Sequence, residues 1–142
     1  FKGSRIGGWT KTNWTNIMPN WSASGFDPYV PGISERWSSR LSGGTVNGSE
    51  FVTQHFGIPT ETHIFGRSWN GQLSQHEAGM FENQFELFRL APWYRRSNQP
   101  YWARNLKSNT VACGIAKSGM PDAWYINASN IYVRPFFLIG RS

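Results

Sequence analysis

A single cysteine, Cys113, in a chain of 142 residues excludes an intrachain disulfide and any cysteine-rich zinc site. It falls in an alternating, strand-like run, so it reads as a small core residue, and no thiol redox chemistry is expected. The three histidines, His55, His63 and His76, sit on unrelated segments, with neither a His-Glu-x-x-His nor a two-histidine-one-carboxylate spacing. No metal and no cofactor is therefore expected. No Ser-His-Asp arrangement or close carboxylate pair can be placed, which argues against a hydrolytic enzyme. No run of about 18 apolar residues occurs, so no helix is expected to span a membrane. The opening Phe1-Lys2-Gly3-Ser4-Arg5 lacks the apolar stretch of a signal peptide, and so abrupt a start suits a fragment of a longer protein.

Acidic residues are also scarce: 8 against 14 basic ones, for a net charge of +6. The imbalance is uneven along the chain. Phe1 to Phe88 holds 6 basic and 7 acidic residues, whereas Arg89 to Ser142 holds 8 basic residues against Asp122 alone. Arg95, Arg96, Arg104, Lys107 and Lys117 can set up a field that draws in anionic partners such as phosphorylated or acidic glycans. The plainer alternative is a solvated basic surface with no specific ligand. The length fits one domain over residues 1–142, which buries roughly 68–70% of the surface its unfolded chain exposes.

What is abundant is aromatic: 8 Trp, 5 Tyr and 10 Phe. In the last third, Tyr101 to Arg104, Val111 to Lys117 and Trp124 to Asn127 are short β-branched or aromatic runs bounded by Asn, Ser, Gly or Pro-Asp. They predict a meander of antiparallel strands, with Ser118-Gly119-Met120-Pro121-Asp122 as the turn into the third. In the middle run Val111, Cys113 and Ile115 alternate with Ala112, Gly114 and Ala116. One face is then apolar, and the other is lined by side chains so small that something can approach it closely. Alternation puts only one of Trp124 and Tyr125 outward; Tyr125 is the expected outward residue, with Trp124 in the core.

The first half reads as scaffold. Thr10 or Thr12 can cap a helix with Trp14, Ile17, Met18 and Trp21 on one stripe, ended by Pro19. A second amphipathic stretch starts at Ser34, with Ile33, Trp37 and Leu41 on one helical stripe before Ser42-Gly43-Gly44. Ile58 to Gly66 reads as a single capped turn, with an N-cap threonine, an early Glu and a terminal Gly; His63 within it is read as structural. Ser74-Gln75-His76-Glu77 matches a capping box, after which Phe81, Phe85 and Phe88 keep helical spacing until Pro92. The next residues, Trp93-Tyr94-Arg95-Arg96, combine aromatic faces with guanidinium groups, a pairing suited to sugar stacking and anion contact.

Taken in order, GGWTKTNWTNIMPN, IPTETHIFG, QFELF, YWARN and YVRPFFLIG resemble a C-type-lectin-like domain found in bacteriophage and gut-bacterial proteins. The matching positions are Gly7, Gly8, Trp9, Pro59, Thr60, Glu61, Phe65, Gly66, Trp102, Arg104, Val133, Arg134 and Pro135. The resemblance implies an α+β, C-type-lectin-like fold with paired terminal strands, two or three short helices and a small antiparallel sheet facing the ligand. It further implies a receptor-binding or capsid-decorating module on a virion surface. The chain departs from two related groups. Calcium-dependent lectins use Glu-Pro-Asn or Gln-Pro-Asp with Trp-Asn-Asp; here stand Gln99-Pro100-Tyr101 and Trp124-Tyr125-Ile126-Asn127. Formylglycine-generating enzymes need a pair of active-site cysteines, which one cysteine cannot supply.

The leading expectation is a non-enzymatic bacteriophage module that binds a host-surface glycan or protein receptor through Trp93, Tyr94, Arg95, Arg96, Arg104, Lys107, Lys117 and Tyr125. The alternative is a structural domain that decorates a capsid or tail, touches other virion proteins and assembles as a homo-oligomer. Nucleic acid ranks third, because no helix-turn-helix, zinc-finger or RNA-binding signature accompanies the charge.

Overall fold

The computed structural model describes residues 32–40, 46–54, 56–71, 83–108 and 110–137. The helix expected after Thr10, the Ser42-Gly43-Gly44 breaker, the Ser74 capping box, Phe81 and the pairing of the two termini lie outside these residues.

The expected meander is present. Strands β3 (Tyr101–Leu106), β4 (Val111–Ile115) and β5 (Pro121–Tyr125) form an antiparallel sheet in the order β3-β4-β5. The β4–β5 register runs from Val111 opposite Tyr125 to Ile115 opposite Pro121. Gly119, at φ 88°, supplies the left-handed backbone that the intervening turn requires.

The β3–β4 pairing is irregular. Trp102 faces Gly114 and Leu106 faces Ala112, so four steps along β3 match two along β4. This bulge re-aims the residues between them, and the Arg104 amide donates to the Pro59 carbonyl at 3.0 Å instead of to β4. All six residues of β3 are buried.

The stretch expected as a second helix is a strand. β1 (Ile33–Arg40) pairs antiparallel with β2 (Val46–Gln54), from Ile33 opposite Gln54 to Arg40 opposite Val46. A spacing of four residues lies on one face of a helix and also on one face of a strand, so the Ile33-Trp37 stripe does not discriminate between them. Pairing with a second segment decides the matter, and that segment is distant from any local signal.

Helix α1 (Glu61–Phe65) matches the expected capped turn. The Thr60 hydroxyl accepts from the His63 amide at 3.2 Å, His63 Nδ1 accepts from the Thr60 amide at 3.1 Å, and Gly66 closes the helix at φ 78°. Helix α2 (Glu86–Leu90) carries Phe88 inward and stops before Pro92, which begins a 3-10 helix over Pro92–Arg95. The described fold is thus α+β, with two short α-helices and a three-stranded antiparallel sheet.

Two apolar clusters flank β4. Ala112 packs with Ile58, Trp102, Leu106, Ile126, Ile131 and Val133, while Cys113 and Ile115 pack with Ile64, Phe88, Tyr101 and Ala103. The small-residue face is therefore not open to a ligand. A Cβ on Gly114 would lie 2.7 Å from the Tyr101 carbonyl oxygen and 2.9 Å from Trp124 Cε3. What approaches that face is the chain's own indole, and Trp124 meets Trp102 edge-on at 5.9 Å.

Candidate functional site

The eight sequence-selected residues separate into three environments. Arg104 leaves the surface altogether: it is 1% exposed, ion-paired with Glu35 and donating to the Ile58 carbonyl at 2.8 Å. It was expected on the ligand-facing sheet. The β3 bulge turns it inward, where Glu35 compensates a charge that burial would otherwise penalise heavily.

Lys107 and Tyr125 sit together at one end of the sheet. The Lys107 amide donates to the Val111 carbonyl at 2.9 Å, and Val111 is the partner of Tyr125. Tyr125 is 68% exposed, whereas Trp124 packs against the core, as alternation implied.

Arg95, Arg96 and Lys117 gather at the other end. The Ser97 amide donates to the Lys117 carbonyl at 3.4 Å, and a Cβ on Gly119 would lie 3.3 Å from both Arg95 Cβ and Arg96 Cγ. Trp93 and Tyr94 precede them on the 3-10 helix, 62% and 50% exposed, with ring centroids 6.0 Å apart. At about 3.3 Å per residue, the length of β4 puts roughly 13 Å between the two ends. The aromatic pair and its cations form one patch; Lys107 and Tyr125 form another.

Arg134 of the Val-Arg-Pro run explains how the first patch is held. Its Nη1 donates to the Tyr94 carbonyl at 2.6 Å and lies 3.3 Å from the Tyr101 hydroxyl, while its guanidinium lies over the Phe88 and Tyr101 rings. The Tyr101 hydroxyl in turn donates to the Arg95 carbonyl at 2.7 Å. Burial pushes the Tyr101 phenol above its ordinary range, opposed by Arg134 and Arg95, so it remains a neutral donor. The 3-10 helix is therefore pinned at both Tyr94 and Arg95 by residues of the sheet and the last segment.

His63 belongs to the aromatic group of Phe85 and Phe136. Its ring stacks on Phe85 with centroids 4.3 Å apart and meets Phe136 edge-on. Burial, aided by the Arg104 charge, lowers its pKa from 6.5 to about 3, so it is a neutral packing group at physiological pH. This agrees with its structural reading in the sequence.

Glu61 does more than its place at the start of α1 suggests. The Glu61 carboxylate, fully buried, accepts from the amides of Trp69 at 3.3 Å, Asn70 at 3.0 Å and Gly71 at 2.7 Å, with the Ser68 hydroxyl at 3.4 Å. An early glutamate in a helix suggests a dipole partner, yet this one organises a loop instead. Trp69 on that loop is 53% exposed, with the Arg67 guanidinium 4.0 Å above its ring. Asn70 Nδ2 donates to the Asp122 carbonyl of β5 at 3.3 Å, which ties the loop to the sheet.

Among the described residues, no group of three His, Cys, Asp or Glu side chains is placed to hold a metal, and no helix is long and apolar enough to cross a membrane. No protein-family model, curated protein or solved structure matches this chain.

Proposed function

We propose that this chain is a non-enzymatic, C-type-lectin-like binding module of a bacteriophage virion surface, which engages an acidic glycan of the host cell through Trp93, Tyr94, Arg95, Arg96 and Lys117. The observation that carries the reading is the pinned 3-10 helix. Arg134 and Tyr101 fix the backbone carbonyls of Tyr94 and Arg95, in a segment that exposes the Trp93 and Tyr94 rings close in the fold to Arg95, Arg96 and Lys117. Exposed rings offer faces to sugar C–H groups, and guanidinium groups bind carboxylate or phosphate bidentately. Holding the backbone in advance lowers the ordering cost of binding. Lys107 and Tyr125, at the far end of the sheet, are reached only by a ligand longer than a disaccharide or by a second contact.

The test is binding of the purified protein to bacterial cells and to an array of acidic and neutral glycans, with and without a calcium chelator. Saturable, chelator-insensitive binding that falls at least tenfold in Trp93→Ala and Arg96→Ala supports the reading. Binding that is equal for acidic and neutral glycans, or unchanged in both variants, refutes it.

A second reading, a capsid- or tail-decorating domain that contacts other virion proteins or copies of itself, draws on Leu87 and Leu90, which lie exposed just before Trp93. It predicts no glycan binding, together with concentration-dependent self-association that is weakened by Leu90→Glu in sedimentation experiments.

A further inference from the structure

We propose that the Arg67 to Gly71 loop is a second binding subsite, in which Trp69 and Arg67 together take a carboxylated sugar, such as a hexuronate unit of an acidic glycan. The inference rests on the glycan-binding reading above and extends it to residues that neither the charge pattern nor any sequence motif singled out.

Three observations carry it. The loop is built rather than incidental: a fully buried carboxylate on Glu61 gathers three successive amide donors from Trp69, Asn70 and Gly71. Such a carboxylate fixes the loop backbone before any ligand arrives, which is the arrangement that reduces the entropy lost on binding. Next, the loop presents a large ring to solvent with a guanidinium 4.0 Å above it. Stacking in this way leaves the N–H edges of Arg67 in the plane of the fork, where they can take a carboxylate bidentately, while the indole offers apolar surface to the sugar ring. Finally, the loop is joined to the end of the sheet that bears the first patch. Asn70 binds the Asp122 carbonyl, and Asp122 adjoins Pro121, the partner of Ile115. The turn that leaves Ile115 is the one packed against Arg95 and Arg96. A glycan chain lying across this end of the molecule therefore meets both patches. Of the acids beside this route, Glu61 is fully buried and committed to the loop amides, and one carboxylate oxygen of Asp122 is engaged by the Ala123 amide at 2.8 Å.

The experiment is calorimetric titration of the 142-residue protein with an oligomer of galacturonic acid and with its methyl-esterified form, which keeps the sugar rings and removes the charge. Trp69→Ala and Arg67→Ala are each expected to weaken binding of the acid form about tenfold. Trp69→Phe keeps a ring and should recover most of the affinity, which a merely structural role at this exposed site would not predict. Thermal midpoints should stay at the wild-type value in all three. If Trp93→Ala and Arg96→Ala weaken binding while Trp69→Ala and Arg67→Ala remain within twofold of wild type, the second subsite is refuted and the first patch stands. If the wild-type protein binds host cells but neither galacturonate form, the inference is again refuted alone. If it binds neither cells nor glycans, the reading beneath it fails as well.

Discussion

Replacing His63 by Asn tests how the aromatic interior around Phe85 and Phe136 is held. In the folded chain His63 is neutral down to about pH 3, because burial and the Arg104 charge oppose protonation. In the unfolded chain it takes up a proton near its ordinary 6.5. The unfolded state therefore binds more protons between these values. The His63 contribution is complete above pH 6.5, is lost progressively as pH falls, and is exhausted near pH 3. The slope is about 1.4 kcal/mol per pH unit inside the window, which gives a loss of about 1.9 kcal/mol between pH 7 and pH 5. Asn can present a side-chain oxygen to the Thr60 amide in place of Nδ1, but it does not titrate. His63→Asn should be less stable at pH 7, where stacking on Phe85 is lost, and its own stability should lack this pH-dependent loss. Urea unfolding followed by tryptophan fluorescence at pH 7, 6 and 5 reads the difference directly. A wild-type advantage that shrinks by about 1.9 kcal/mol over that range agrees with the structure. An advantage independent of pH would mean that His63 protonates equally in both states, and the buried neutral imidazole would be refuted.

Glu35→Ala leaves the Arg104 charge buried without its carboxylate, and should destabilise the fold by about 3–5 kcal/mol in urea titrations. The double variant Glu35→Leu with Arg104→Met should recover most of that loss, because it removes both charges. Gly114→Ala drives a methyl group against the Tyr101 carbonyl and the Trp124 ring, at an expected cost of about 1–3 kcal/mol in unfolding free energy. In Glu61→Ala the Gly71 amide loses the acceptor that holds it at 2.7 Å, so its nitrogen becomes free to attack the Asn70 side-chain carbonyl and expel ammonia. Peptide mass spectrometry of aged protein should then show faster conversion of Asn70 to Asp and isoaspartate than in wild type. Equal rates would show that Glu61 does not restrain the loop.

Elements specified by contiguous residues were legible in the sequence. The turn from Ile58 to Gly66 carries its start in Thr60 and its stop in Gly66, and the structure uses both. The meander was readable from alternation and turn residues: the starts at Tyr101 and Val111 coincide, and the other ends are displaced by two or three residues because each ladder ends where its partner does. Alternation required that only one of Trp124 and Tyr125 face outward, and the structure has the expected one, Tyr125, outside with Trp124 against the core. The stripe at Ile33 and Trp37 was misread, because its spacing serves both periods and only β2 distinguishes them. Within the candidate site, the cluster of Trp93, Tyr94, Arg95 and Arg96 was visible as neighbours in the chain. Its separation from Lys107 and Tyr125 was not, since it depends on which end of β4 each connection reaches.

By itself the sequence determined the local devices, where a side chain acts on backbone a few residues away, and the broad charge asymmetry between the two halves. Only the tertiary structure decided the use of individual charges. Arg104 is a basic residue like Arg96 in composition, yet a bulge in β3 turns it toward Glu35, 69 positions away. Glu61 looks like a helix-dipole acid, yet burial beside the loop at residues 68–71 makes it the acceptor that presents Trp69. The physical reason is the same in both cases. A charge removed from water is compensated by whatever donors or counter-charges the fold brings to it, and those partners are chosen by three-dimensional packing, not by position in the chain.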